Sequence, residues 1–168
     1  NNYTDGLLIL NNIINGIGEI LPISSVFDYE IYEVFEKIIT NFDDSKSAVV
    51  LLNAIEKFDT LTENDEYLFD DTKKEVCDIK KLLHNVNKKE LKKFVNAELN
   101  ENSPFVYTAL EFADDVIAIR ELLKCNNQTI ILKTAEVLKS LNSLDDTAKT
   151  IALIKITDEN IKSIIRAL

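Results

Sequence analysis

SPFVYTALEFADDVIAIRELL, residues 103–123, is the stretch whose reading decides the fold. Ser103 followed by Pro104 is a helix start: the serine oxygen accepts a backbone N–H that the first turn leaves unpaired, and proline at the first helical position has no N–H to lose. From there Phe105, Ala109, Phe112, Val116, Ile119 and Leu123 alternate at four and three residues, the signature of one helical face. The spacing predicts one continuous helix with a single core side.

Working outward, the same period recurs almost throughout. Downstream, Thr129 to Leu141 and Asp145 to Ile156 read as helices, and Thr157 caps a last one that turns Ile161, Ile164, Ile165 and Leu168 inward. Upstream, Leu91, Phe94, Val95 and Leu99 mark a short helix, and Val76, Ile79, Leu82, Leu83 and Val86 mark one from about Asp71 to Asn85. Ser45 to Phe58 is another, with Val49, Leu52 and Ile55 inward, and the polar TENDE link, residues 62–66, follows it. Phe27, Ile31, Val34, Phe35, Ile38 and Phe42 form a further stripe, opened by Ser24 or Ser25 after Pro22. In the first helix Leu7, Leu10, Ile14, Ile17 and Leu21 make one stripe and Ile9, Ile13 and Ile20 a second, which predicts a helix surrounded by others.

Three glycines and two prolines in 168 residues are too few for the turns that strands need. The fold expected is a single all-α domain over residues 1–168, a bundle of about eight helices. Its length suffices to bury a core without cross-links. Charged residues at 29% beside 46% hydrophobic ones exclude a disordered or membrane protein. The run LLILNNIINGIGEILPI, residues 7–23, is interrupted by Asn11, Asn12, Asn15 and Glu19 and does not read as a membrane span.

The sequence contains no methionine, even at position 1. Removal of a signal peptide is the simplest reading, and it gives the expectation of a secreted, extracellular protein; a domain cut from a longer product would look the same. The sequons at Asn2 and Asn127 arise by chance in so asparagine-rich a chain.

Cys77 falls on the stripe of Lys73, Lys74, Lys80, Lys81 and His84, nearly opposite Val76, Ile79 and Leu83. Cys125 is out of phase with Phe112, Val116 and Leu123. Free thiols prefer burial, so two off-core cysteines predict a Cys77–Cys125 disulfide. Cys77 and His84 are seven residues apart on one helix, about 10.5 Å along its axis, too far for a nucleophile–base pair. With one histidine, no phosphate-binding glycine loop and no metal-ligand spacing, the expectation is a non-enzyme without cofactor or metal.

Of the acidic pairs, Asp43-Asp44, Asp70-Asp71 and Asp145-Asp146 sit where helices begin and read as caps. Asp114-Asp115 falls inside the predicted helix, where Glu111, Asp114 and Glu121 form an acidic stripe opposite the core. Against this background, residues 73–93 carry eight lysines and three carboxylates, a local charge of +5 in a chain of net charge -10. Lys73, Lys74, Lys80, Lys81, Lys89, Lys92 and Lys93 face away from the core positions, either as a solvated face laid against acidic neighbours or as an anion-binding patch. Nucleic acid is excluded as the partner, because the remaining surface repels phosphates and the patch has neither arginine nor interleaved aromatics.

Two functions fit. The first is a secreted, non-enzymatic protein that binds an extracellular protein or peptide through its charged surface, with a sulfated glycan as a further candidate ligand. The second is a bundle that carries a lipid or another apolar small molecule.

Overall fold

The computed structural model describes residues 2–17, 29–40, 44–60 and 70–168. Among them are ten α-helices, two single 3-10 turns and no strand, so the chain is all-α. The turn expected at Pro22–Ser25 and the link at 62–66 lie outside the described residues. By internal contacts the chain divides into two compact units, residues 1–94 and 95–168.

The first unit contains α1 (Asn2–Gly16), α2 (Tyr29–Thr40), α3 (Ser45–Asp59), α4 (Asp70–His84) and the short α5 (Lys88–Lys92). Its centre is α3, against which α1, α2, α4 and α5 all pack. Every residue from Ser47 to Ile55 is buried, and Phe58 is too. Ser47, Ala48 and Ala54 keep that helix thin enough for neighbours on several sides, and Phe58 meets Phe35 of α2 edge to face, ring centres 5.7 Å apart. Asp44 caps α3 through the Ser47 N–H at 2.7 Å.

The surrounded helix is therefore α3, not the first one. Leu7, Leu10, Ile14 and Ile17 of α1 are buried as the spacing predicts, whereas Ile9, on the second stripe, is 62% exposed. Asn11 of α1 is buried with them, and the Asn53 amide of α3 donates to the Asn11 and Asn15 side-chain oxygens at 2.8 Å each. Tyr3 and Ser47 share a hydroxyl hydrogen bond of 2.6 Å. The asparagines that spoil a membrane reading of α1 are the groups that dock it on α3.

The second unit contains the 3-10 turn Val95–Glu98, α6 (Val106–Phe112), α7 (Val116–Glu121), the 3-10 turn Leu122–Lys124, α8 (Gln128–Ser140), α9 (Asp146–Ile154) and α10 (Glu159–Ala167). Here α8 is the hub, in contact with α6, α7, α9 and α10, and it buries Ile130, Ile131, Thr134, Ala135 and Leu138. The helix predicted over 103–123 is in fact two. The α6 helix closes at Ala113, whose backbone is extended, and Asp115 then caps α7 by accepting the Ile117 and Ala118 N–H groups at 3.1 and 3.2 Å.

Ser103 does not cap the helix as expected: α6 begins at Val106 behind Phe105, which makes no side-chain cap, and Ser103 holds the turn ahead of it. It accepts the Phe105 N–H and donates its hydroxyl to the buried Glu98 carboxylate. Phe105, Ala109, Ile119 and Leu123 are buried as expected, and the two core candidates flanking the break, Phe112 and Val116, are only half-buried. Asn127, Asp145 and Asp158 cap α8, α9 and α10. The last cap is one residue later than the predicted Thr157, whose N–H instead donates to the Gln128 side chain at 2.8 Å. The α8 helix ends on Asn142 at φ 54°, where the Asn142 and Ser143 N–H groups close back onto Lys139 and Leu138.

Candidate functional site

In the first unit, burial of Val76, Ile79 and Leu83 fixes the rotation of α4, and burial of Leu91 fixes that of α5. Residues 85–87 join them in one tight reversal: the Asn85 and Val86 N–H groups finish α4 on Leu82 and Leu83, and the Asn87 side chain caps α5 at the Lys89 N–H, 3.1 Å. Both helices lean on α3, so their outer faces look away from it. Asp59, the last residue of α3, lies 3.6 Å from His84 Nε2 and 3.5 Å from Lys88 Nζ, which ties the end of α4 and the start of α5 to one carboxylate.

This places most of the predicted lysines on the surface. Lys74, Lys81, Lys89, Lys92 and Lys93 are exposed and Lys80 is half-buried; the Lys73 side chain lies outside the described residues. Lys93 is clamped by both oxygens of Glu90, at 2.8 and 2.9 Å. Lys74, Lys81, Lys89 and Lys92 make no ion pair among the described residues. Lys74 and Lys81 are two turns apart on one side of α4, and Lys89 and Lys92 are neighbours on α5.

The acidic stripe does not share one helix face, because the break at 113–115 separates its members. Glu111 belongs to α6 and faces Lys133 at 4.0 Å, Asp114 is exposed in the link, and Glu121 ends α7 paired with Lys124 at 2.9 Å. Asp145 does more than cap. Its carboxylate takes the Ala148 N–H at 2.7 Å and both Arg120 nitrogens at 3.1 and 3.3 Å, and these bonds, the backbone one first, hold its pKa below the ordinary carboxylate value.

The predicted disulfide is absent: Cys77 and Cys125 are both free. The expectation came from carrying the phase of 103–123 forward to Cys125. The chain leaves that helix at Ala113, re-enters through a cap and a 3-10 turn, and delivers Cys125 into the interior of the second unit, 8% exposed, with its sulfur donating to the Asn127 carbonyl at 3.6 Å. Burial raises its thiol pKa. Cys77 is half-buried on α4. No group of three or more His, Cys, Asp or Glu side chains is placed to hold a metal among the described residues. No helix among them is long and apolar enough to cross a membrane.

Reading the sequence alone missed Asp59 as the anchor of the lysine segment and missed the Asp115 cap. The first pairing spans 25 residues of chain and leaves no local signal; the second was signalled by the same Asp-Asp pair that marks the starts of α3 and α9. Compared with protein families, curated proteins and solved structures, the chain matches none of them.

Proposed function

We propose that this chain is a secreted, non-enzymatic binding protein that acts through its charged surface on an extracellular macromolecule. The acidic remainder of the molecule meets a basic protein or peptide, and the lysine face of α4 and α5 contacts an anionic chain such as a sulfated glycan. The observation that carries the reading is the set Lys74, Lys81, Lys89 and Lys92, exposed and outside any ion pair among the described residues of a chain with net charge -10. An internal salt-bridge face would spend these cations on facing carboxylates. Here Asp59 and Glu90 take up His84, Lys88 and Lys93 and leave those four to solvent. Opposed fields on one molecule raise the rate of encounter with a complementary partner and reject wrong ones. The free cysteines remove a disulfide from the grounds for an extracellular setting, which rests on the nature of the partner.

Chromatography on a sulfated-glycan column tests the lysine face. The wild type is expected to be retained at low salt and released as salt rises. Lys74, Lys81, Lys89 and Lys92 all changed to Gln should abolish retention with thermal stability nearly unchanged, since exposed charges contribute little to folding. Passage of the wild type through the column at low salt removes the glycan contact.

A further inference from the structure

The triplet Asn127-Gln128-Thr129 satisfies the acceptor motif for N-linked glycosylation, with no proline at its middle position. Chance accounts for the motif but not for where the fold puts it. Asn127 is the N-cap of α8, and it is exposed. The cap uses only one end of that amide. Its Oδ1 accepts the Thr129 and Ile130 N–H groups at 3.1 and 3.2 Å and the Thr129 hydroxyl at 2.6 Å. Donors converging on one atom decide which end of the amide is the oxygen, so Nδ2 points away from the N–H groups of the first turn. It makes no hydrogen bond among the described residues.

A sugar on this nitrogen also needs room. Asn127 belongs to the wall of a wide-open groove of 530 Å³ in the second unit, with Glu101, Gln128, Asp158 and Ile161. The first sugar of an N-linked chain is a polar ring with an apolar face. The carboxylates of Glu101 and Asp158 are acceptors for its hydroxyls, and Ile161 is a surface for that face. The helix start survives the change, because substitution on Nδ2 leaves the amide carbonyl in place and Oδ1 is the atom that caps α8.

We propose that Asn127 is an N-glycosylation site, its exposed Nδ2 carrying an oligosaccharide headed by an N-acetylhexosamine. The donor is the oligosaccharide linked to a polyprenyl diphosphate, and the catalyst is a transferase of the secretory pathway. The bond formed joins Nδ2 to the anomeric carbon. The bond broken joins that carbon to the diphosphate oxygen, which leaves with the electron pair while Nδ2 gives up one proton to a base of the transferase. Nothing is oxidised or reduced. The inference rests on the secretory setting proposed above and is independent of the lysine face, and either can fail without the other.

The test is the full chain directed by an added leader into the secretory lumen of a eukaryotic cell, then treated with peptide N-glycanase in heavy-oxygen water, which turns a glycosylated asparagine into a labelled aspartate. Mass spectrometry of its peptides should find the label at Asn127 in most chains, resolved from any at Asn2. Thr129→Ser should keep the modification and Thr129→Val should lose it, since the motif requires the hydroxyl. Asn127→Asp should lose the sugar yet melt with the unmodified chain, because aspartate caps a helix as well as asparagine does, which separates loss of the glycan from loss of the cap. Unlabelled Asn127 in lumenal material, or a label that persists in Thr129→Val, overturns the site and leaves the secretory reading standing. Protein from its natural source found outside the secretory route overturns that reading and the site with it. The sugar is added before the chain folds, so a variant that fails to fold still reports at residue 127.

Discussion

Each of the two units is built around one buried helix, α3 in the first and α8 in the second, and they differ in where their polar groups are used. The α3 helix buries Ser47 and Asn53, and both reach across to α1. The α8 helix buries Thr134, whose hydroxyl turns back to the Ile130 carbonyl of its own helix at 2.7 Å. In the second unit, side-chain acceptors gather at helix starts, on Asp115, Asn127, Asp145 and Asp158. The first unit thus fixes how helices sit against each other with interior amides, and the second fixes where each short helix begins. A buried amide between helices has no substitute partner, whereas a lost cap exposes N–H groups that water can reach.

The largest effect that this contrast predicts is at the α1–α3 contact. Ile14, 1% exposed beside the asparagines, changed to Asp should destabilise by about 4 kcal/mol or more, because it puts an unpaired charge in the core. Urea unfolding followed by circular dichroism measures it. Wild-type stability in that variant would mean α1 is not held on α3 as described. Asn53→Ala should cost about 1–3 kcal/mol, because it removes the buried hydrogen bond to Asn11, whereas the exposed Asn15 oxygen can turn to water. The matching change in the second unit, Thr134→Val, keeps the volume and frees a carbonyl that the helix already bonds, so about 1 kcal/mol or less is expected. Equal costs for the pair would break the contrast.

The caps come next in size. Asp115→Ala should cost about 1 kcal/mol and fray α7, seen as faster amide exchange at Ile117 and Ala118. Asp145 adds a pH dependence. Its folded pKa is lowered, so its contribution is complete above the ordinary carboxylate value of 3.8 and is lost as the pH falls through that value towards the depressed one. Acid unfolding of Asp145→Asn should accordingly show a shallower loss of stability below pH 4 than the wild type does. A superimposable profile would remove the Arg120 and Ala148 bonds as its cause.

The sequence disclosed these features unevenly, for physical reasons. Period alone sufficed for the all-α class and for most buried residues, because a helix must present an apolar stripe to whatever it packs on. It could not say which helix is central. Two apolar faces look alike whether both are covered, and Ile9 is exposed while every residue from Ser47 to Ile55 is buried. The run AVVLLNAI, residues 48–55, small or apolar throughout but for Asn53, was the better indicator. Period also bridged the gap at Asp115, since the stripe continues through an extended Ala113. The error then propagated to Cys125 and to the acidic stripe. Lysines at outward positions were legible from charge and phase; their release from ion pairs depends on which helices meet and has no local trace.

The smallest expected effects concern backbone alone and run in opposite directions in the two units. Gly6 lies inside α1, and a methyl group added there meets nothing within 4 Å. Gly6→Ala should stabilise by about 0.5–1 kcal/mol, because alanine loses less backbone freedom on entering a helix and no contact is disturbed. In the second unit Asn142 stands at φ 54° behind α8, in the left-handed region where a side chain is strained and glycine is not. Asn142→Gly should therefore be neutral or raise stability by a few tenths of a kcal/mol, and Asn142→Ala should lower it. Thermal unfolding of the three variants compares them directly. If glycine at 142 proved worse than alanine, the helix end would not adopt the left-handed closure onto Leu138 and Lys139, and the view that the second unit is delimited at its helix ends would lose its C-terminal half.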